Sequence, residues 1–146
     1  MAEWLGTKKP MKLTLILSMR HKDHAIEVAQ KLEELGHEVK VPMDSIKELK
    51  EKEVLDEPTM IRIHQWLVYS WIDRAIPWAD AVLIINKGHP EQESYIGANT
   101  WAEFGAAVSH RKRIYSLYEY GKQEELSALK IPIVGGIEAL GQHFTA

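Results

Sequence analysis

The stretch "SYIGANTWAEFGAA", Ser94 to Ala107, begins as a polar loop and ends as an apolar helix, with one carboxylate, Glu103, at the changeover. Two kinds of chemistry fit an acid there. Thr100-x-x-Glu103 has the spacing of a capping box, in which the threonine hydroxyl accepts from the Glu103 amide and the carboxylate accepts from the Thr100 amide. Alternatively, the positive end of the helix dipole favours an ionised carboxylate, the form that a nucleophile needs. A cap requires neither the loop glycine at 97 nor the small residues Gly105, Ala106 and Ala107, which would let the helix approach a sheet closely.

A second group is "SMR", Ser18 to Arg20, between an apolar run and a helical pattern. A hydroxyl, a guanidinium and the free amides of a helix N-terminus together suit a phosphate or carboxylate. The alternative is a serine cap beside a surface arginine. The glycines of a dinucleotide fingerprint and the lysine loop of nucleotide triphosphatases are both missing. His21 and His24 bracket Asp23 but lack an evident third ligand, so no metal is expected. His64 reads as a packed histidine. Asp80 falls at the start of a strand, where a structural role is expected.

These groups need a frame, and hydrophobic periodicity supplies one. "KLTLILS" (12–18) and "ADAVLIIN" (79–86) are near-continuous apolar runs, as in strands buried on both faces. Between them, Ala25, Ile26, Val28, Ala29, Leu32 and Leu35 repeat at helical spacing, Gly36 is a helix stop, and "EVKVP" is a short strand. A helix over 59–77 is apolar nearly all round, which calls for cover on more than one side. Pro77 ends or kinks it. The charged segment 44–57 reads as a loop over the sheet edge, either a lid or a solvated insertion. A helix from Asn99, a strand 113–119, a helical stretch 122–130 and a possible last strand in "IPIVGG" complete the chain.

The order implies an α/β fold: a doubly wound parallel sheet of four to five strands, Rossmann- or flavodoxin-like, in the order 2-1-3-4(-5). Residues 1–11 form a loose leader and 12–146 a single domain. Ligands bind such sheets beyond the strand carboxyl ends, where the order reverses. That places Ser18, Met19, Arg20 and Asn86 at the site, with Glu103 on the same side.

Composition narrows the function further. With 146 residues, a net charge of −3 and no basic run, a nucleic-acid partner is disfavoured. The absence of cysteine excludes disulfides, zinc–thiolate sites and cysteine nucleophiles. No apolar run approaches the roughly 20 residues of a membrane span. A cytoplasmic protein is the expectation.

"ADAVLIIN…YIGANTWAEFGAAVSHRKRIYSL" resembles the nucleoside 2-deoxyribosyltransferase-like superfamily, which includes deoxynucleoside-monophosphate glycohydrolases. The shared pattern is an Ala-Asp strand, a loop, Gly-Thr-x-x-Glu-(Ile/Phe)-Gly-x-Ala and a Lys-x-Ile-Tyr strand. Thr100, Glu103, Gly105 and Ala107 match, and "SMR" is similar to the Ser-Ile-Arg of the glycohydrolases. The resemblance implies cleavage or exchange of an N-glycosidic bond in a nucleoside or nucleotide, with Glu103 attacking C1′ and no cofactor. It further implies that Ser18 and Arg20 orient a 5′-group, that Asn99 and Thr100 line the pocket, and that Tyr95 or a tryptophan stacks on the base. A homo-oligomer through the 59–77 helix agrees with its all-round apolar surface. The chain departs from the pattern at Asn99, at His21 and Lys22 where glycines are expected, and at Ile72 where an aspartate is expected, with Asp73 adjacent. The general acid is unassigned; Asp44, Asp73 and Tyr95 are candidates. A non-catalytic nucleotide-binding protein on the same scaffold is the alternative.

Overall fold

The computed structural model describes residues 10–42, 57–87 and 96–144. Most of the leader, nearly all of the charged 44–57 segment with Asp44, and Tyr95 lie outside the described residues. The side chains of Met19 and His64 do too.

Four strands, β1 (Lys12–Leu17), β2 (Glu38–Lys40), β3 (Ala81–Ile85) and β4 (Arg113–Ser116), form one sheet in the order β2-β1-β3-β4. All three pairings are parallel, with Leu13 opposite Ala81 and Ala81 opposite Arg113. The fold is thus the doubly wound α/β arrangement. Alternation along the central strands sorts the core into two halves. Leu13, Leu15, Leu17, Ala81, Leu83 and Ile85 point to one side, towards helix α1 (Lys22–Glu34). Ile16, Val82 and Ile84 point to the other, towards helix α2 (Glu57–Ser70, with its extension) and helix α3 (Ala98–Ser109). Two covered faces explain why β1 and β3 read as continuous apolar runs.

Helix α1 ends as expected. Gly36 has φ +96°, its amide bonds to the Glu33 carbonyl and the His37 amide bonds back to Leu32, the double closure of a Schellman motif. Ile26, counted with the buried stripe in the sequence, is instead 42% exposed. Asp80 is structural: its carboxylate accepts from the Lys12 amide at 2.9 Å, fixing the start of β3 against β1.

Helix α2 runs further than the sequence suggests. After Ser70 it widens into a π turn, Trp71–Ala75, and closes with one turn, Ile76–Trp78. The Ile76 amide reaches back five residues to the Trp71 carbonyl. Pro77 lacks an amide and its ring would collide with the carbonyl four residues earlier, so a widened turn accommodates it and the helix ends one residue beyond. The π turn is tied to the sheet. Thr14 donates to the Ala75 carbonyl at 2.7 Å, and the Trp71 indole donates to the Leu15 carbonyl at 3.1 Å. Since β2 pairs only with Lys12 to Thr14, the indole serves β1 just where its neighbour strand stops.

The 122–130 stretch contains helix α4 (Glu124–Ala128). The last strand shrinks to one parallel bridge, Ser116 with Ile133. Pro132 has no amide for a ladder, and Gly135 and Gly136 turn the chain away with φ of +101° and +117°. A 3₁₀ turn (Ile137–Ala139) and helix α5 (Leu140–His143), not anticipated from sequence, bring Leu140 and Phe144 into the α1-side core. Met11, placed in the loose leader, is anchored: its amide donates to His37 Nδ1 at 2.9 Å.

Candidate active site

Helix α3 carries the candidate carboxylate. Its N-cap is Gly97 and the Trp101 amide bonds to the Gly97 carbonyl, so the helix starts three residues earlier than a Thr100 cap would allow. The capping box is therefore not formed. Glu103 falls in the second turn, beyond the amides that carry most of the dipole's positive end. The expected close approach through Gly105 is not found either. Gly105 is exposed, and a Cβ there would meet nothing within 4 Å; Ala107 is the small residue that faces the sheet.

The buried stripe of α3 is Thr100, Glu103, Phe104 and Ala107, and the helix packs across β1 and β4. Following β3, α3 runs back along the sheet, so its first turns lie towards the strand carboxyl ends. The stripe is polar at that end and apolar where it crosses the sheet. Seven polar or charged residues are buried among the described residues: Thr14, His21, His37, Asn86, Thr100, Glu103 and Ser116. Five have clear partners. Thr14 bonds to Ala75 O, His21 Nδ1 to Ile85 O, and His37 to both Met11 N and Phe144 O. Asn86 bonds to the backbone of Tyr118 and Glu119, and Ser116 to Tyr118 O. The other two, Thr100 and Glu103, are one turn apart on α3. Thr100 Oγ1 is fully buried with no hydrogen-bond partner. Glu103 is 8% exposed, and burial alone pushes its carboxyl pKa up to about 8. No described residue bonds to it or pairs with it in charge. Near neutral pH this side chain mostly holds its proton, contrary to the ionised state expected from the dipole.

The strand ends bring other groups to the same edge. Ser18, Met19 and Arg20 follow β1, and Met19–His21 form a 3₁₀ turn. The His21 amide bonds to the Ser18 carbonyl at 2.9 Å, and the Arg20 amide approaches the Ser18 hydroxyl at 3.4 Å. The turn thus engages the serine hydroxyl, while the arginine is exposed. Asn86, expected in substrate binding, also belongs to the frame. Its amide nitrogen donates to Tyr118 O at 2.9 Å and its oxygen accepts from Tyr118 N at 2.9 Å, joining the exits of β3 and β4. Gly97 and Asn99 flank Thr100 at the start of α3, with Asn99 exposed. Asp73, a general-acid candidate, is exposed on the π turn, and Ile72 beside it is half-buried.

The two histidines after β1 make structural contacts. A carbonyl can only accept, so His21 Nδ1 donates to Ile85 O at 3.0 Å. His24 Nε2 meets the Tyr118 hydroxyl at 2.6 Å and the two rings stack. Burial, then Lys87, lowers the His24 pKa, favouring the neutral imidazole. Among the described residues no group of three or more acids and histidines is placed to hold a metal. The contacts of His21, Tyr118 and Trp71 were not anticipated. The one signal for them was a histidine where a glycine was expected after "SMR".

Three cavities are lined by described residues other than Thr100 and Glu103. One of about 400 Å³ adjoins Arg111 to Tyr115, one of about 390 Å³ adjoins Thr59 and Trp66 on α2, and one of about 270 Å³ lies between β2 and the π turn. On α2, Leu67 and Trp71 are buried, whereas Ile61, Trp66 and Tyr69 are 51%, 47% and 66% exposed. Among the described residues no helix is long and apolar enough to cross a membrane.

No protein-family model matches the chain, and no curated protein matches it. Among solved structures the chain is similar to the CMP N-glycosidase BcmB of Clostridium botulinum, at 18% identity over 84% of each chain with a TM-score of 0.45. The sheet topology by itself defines the fold.

Proposed function

We propose that the protein cleaves, or exchanges the base at, an N-glycosidic bond of a nucleoside or nucleotide, with Glu103 as nucleophile. The observation that carries this reading is the polar half of the α3 stripe. Thr100 and Glu103 are buried without partners on the helix whose first turns lie at the ligand-binding edge of the sheet. Leaving such groups unmet costs about 1–3 kcal/mol each, a cost that a ligand at this edge would offset. The motif resemblance supplies the reaction class.

In this reading a Glu103 oxygen bonds to C1′ while the C1′–N bond breaks. The bonding pair leaves with the base, which takes up a proton. Water or a second base then attacks C1′ and releases the carboxylate. The transition state has oxocarbenium character, and a positive sugar beside Glu103 favours the ionised side chain that burial otherwise opposes. Ser18 and Arg20 would hold a 5′-group, Asn99, Thr100, Gly97 and Met19 would line the pocket, and Tyr95 or a tryptophan would stack on the base. Asn86 would act by fixing the rim. No cofactor is required. The exposed apolar face of α2 would be covered by a second copy of the chain, and Trp66→Glu should then shift the protein to monomer in sedimentation.

The direct test is base release from a panel of nucleosides and nucleotides. Glu103→Gln should lower it by roughly a thousandfold or more. Because the free protein binds substrate with Glu103 largely protonated, kcat/KM should rise with pH towards about 8 and then level. Unchanged release in the variant would overturn the assignment. A second reading, nucleotide binding without chemistry, is favoured by Ile72 standing where the family pattern has an aspartate. It predicts thermal stabilisation by nucleotide with no turnover.

A further inference from the structure

A threonine inside a helix ordinarily returns its hydroxyl to a carbonyl of the preceding turn. Thr100 does not: its Oγ1 is fully buried and meets no acceptor or donor. Its nearest polar neighbour along the buried stripe is Glu103, three residues on. At that spacing side chains lie on one helix face, with Cβ atoms roughly 5–6 Å apart. A hydroxyl that turns about one bond and a carboxyl group with three soft torsions can close the remaining gap.

Little else described can compensate a charge on Glu103. The charged residues on the elements packed against α3 are Lys12 on β1, Asp73 and Arg74 on the π turn, and Arg113 on β4. All four are exposed, and none contributes to the rise in the Glu103 pKa, which burial alone accounts for. Arg20, His21 and Lys87 at the strand ends do not contribute to that rise either.

We propose that Thr100 is the positioning residue for Glu103: its hydroxyl stands idle while the carboxyl group holds its proton, and turns to donate a hydrogen bond when the carboxylate forms. The interaction makes a buried carboxylate attainable and fixes which oxygen faces the sugar. Its use in catalysis rests on the N-glycosidic reading, whereas the coupling itself does not.

The test is carbon-13 NMR of the Glu103 carboxyl group, assigned by its loss in Glu103→Gln, in wild type, Thr100→Val and Thr100→Ser. Wild type should titrate near pH 8. Thr100→Val should titrate about one pH unit higher, and Thr100→Ser should restore the wild-type midpoint. A wild-type midpoint in Thr100→Val overturns the proposal, and Thr100→Ala supplies the same comparison should the valine variant fail to fold. In base-release assays at pH 7, Thr100→Val should lower kcat roughly tenfold at unchanged KM, in line with the smaller ionised fraction. A shifted midpoint with no base release by any variant would leave the coupling standing and sink the N-glycosidic reading. Normal release with an unshifted midpoint would do the reverse.

Discussion

Two polar regions of this small core are treated in opposite ways. Around Asn86, Ser116 and Tyr118, side chains close the backbone between the exits of β3 and β4, and each buried group in that junction has a partner. On α3, the Thr100 hydroxyl is fully buried without a partner, and Glu103, 8% exposed, has none among the described residues. Polar groups that serve folding are satisfied by the fold itself. Those left unmet carry a desolvation cost that nothing in the described fold offsets.

The comparison can be broken most forcefully through pH. The folded-state pKa of Glu103, about 8, lies above its reference value of 4.5, so between those values the folded chain holds more protons than the unfolded one. Stability from this group is therefore fully present below about pH 4.5 and lost as pH rises to about 8, by on the order of 5 kcal/mol. Glu103→Gln should be free of that decline. Urea unfolding of both proteins at pH 5, 7 and 9 should show the variant gaining on wild type at each step, and parallel curves would mean that Glu103 is solvated or paired.

Next in size is the satisfied region. Asn86→Ala leaves the Tyr118 amide without its partner and should cost about 2–4 kcal/mol, read as a lower urea midpoint at unchanged slope. The finest contrast applies one substitution at two sites. Thr14→Val removes a hydroxyl bonded to Ala75 O at 2.7 Å and should destabilise by about 1–2 kcal/mol. Thr100→Val removes an orphaned one and should be neutral or stabilising by up to about 1 kcal/mol. If the two variants lose the same stability, the distinction between the regions disappears.

The frame was legible because burial on both faces leaves its mark in every residue of a strand. Leu13 to Leu17 and Ala81 to Ile85 are apolar at nearly each position, and Gly36 announces the end of α1. From those runs the topology followed. The short C-terminal helix was not legible, because Leu140 and Phe144 are too few to show a period. The π turn was hidden for a different reason: Pro77 signals a disturbance but not how the chain absorbs it. At the site, the position of Glu103 was readable and its environment was not. Thr100-x-x-Glu103 fits a cap by spacing, yet α3 starts at Ala98, a shift too small for propensity to register, and that shift turns a cap into an unmet pair. Asn86 shows the converse: its place at the end of an apolar strand was readable, whereas its bond to backbone 32 residues away was not.

That clasp makes the exits of β3 and β4 one mechanical unit. With the donor and the acceptor of a single side-chain amide both engaged on the Tyr118 backbone, the two strands cannot part at the sheet's carboxyl edge without two hydrogen bonds breaking together.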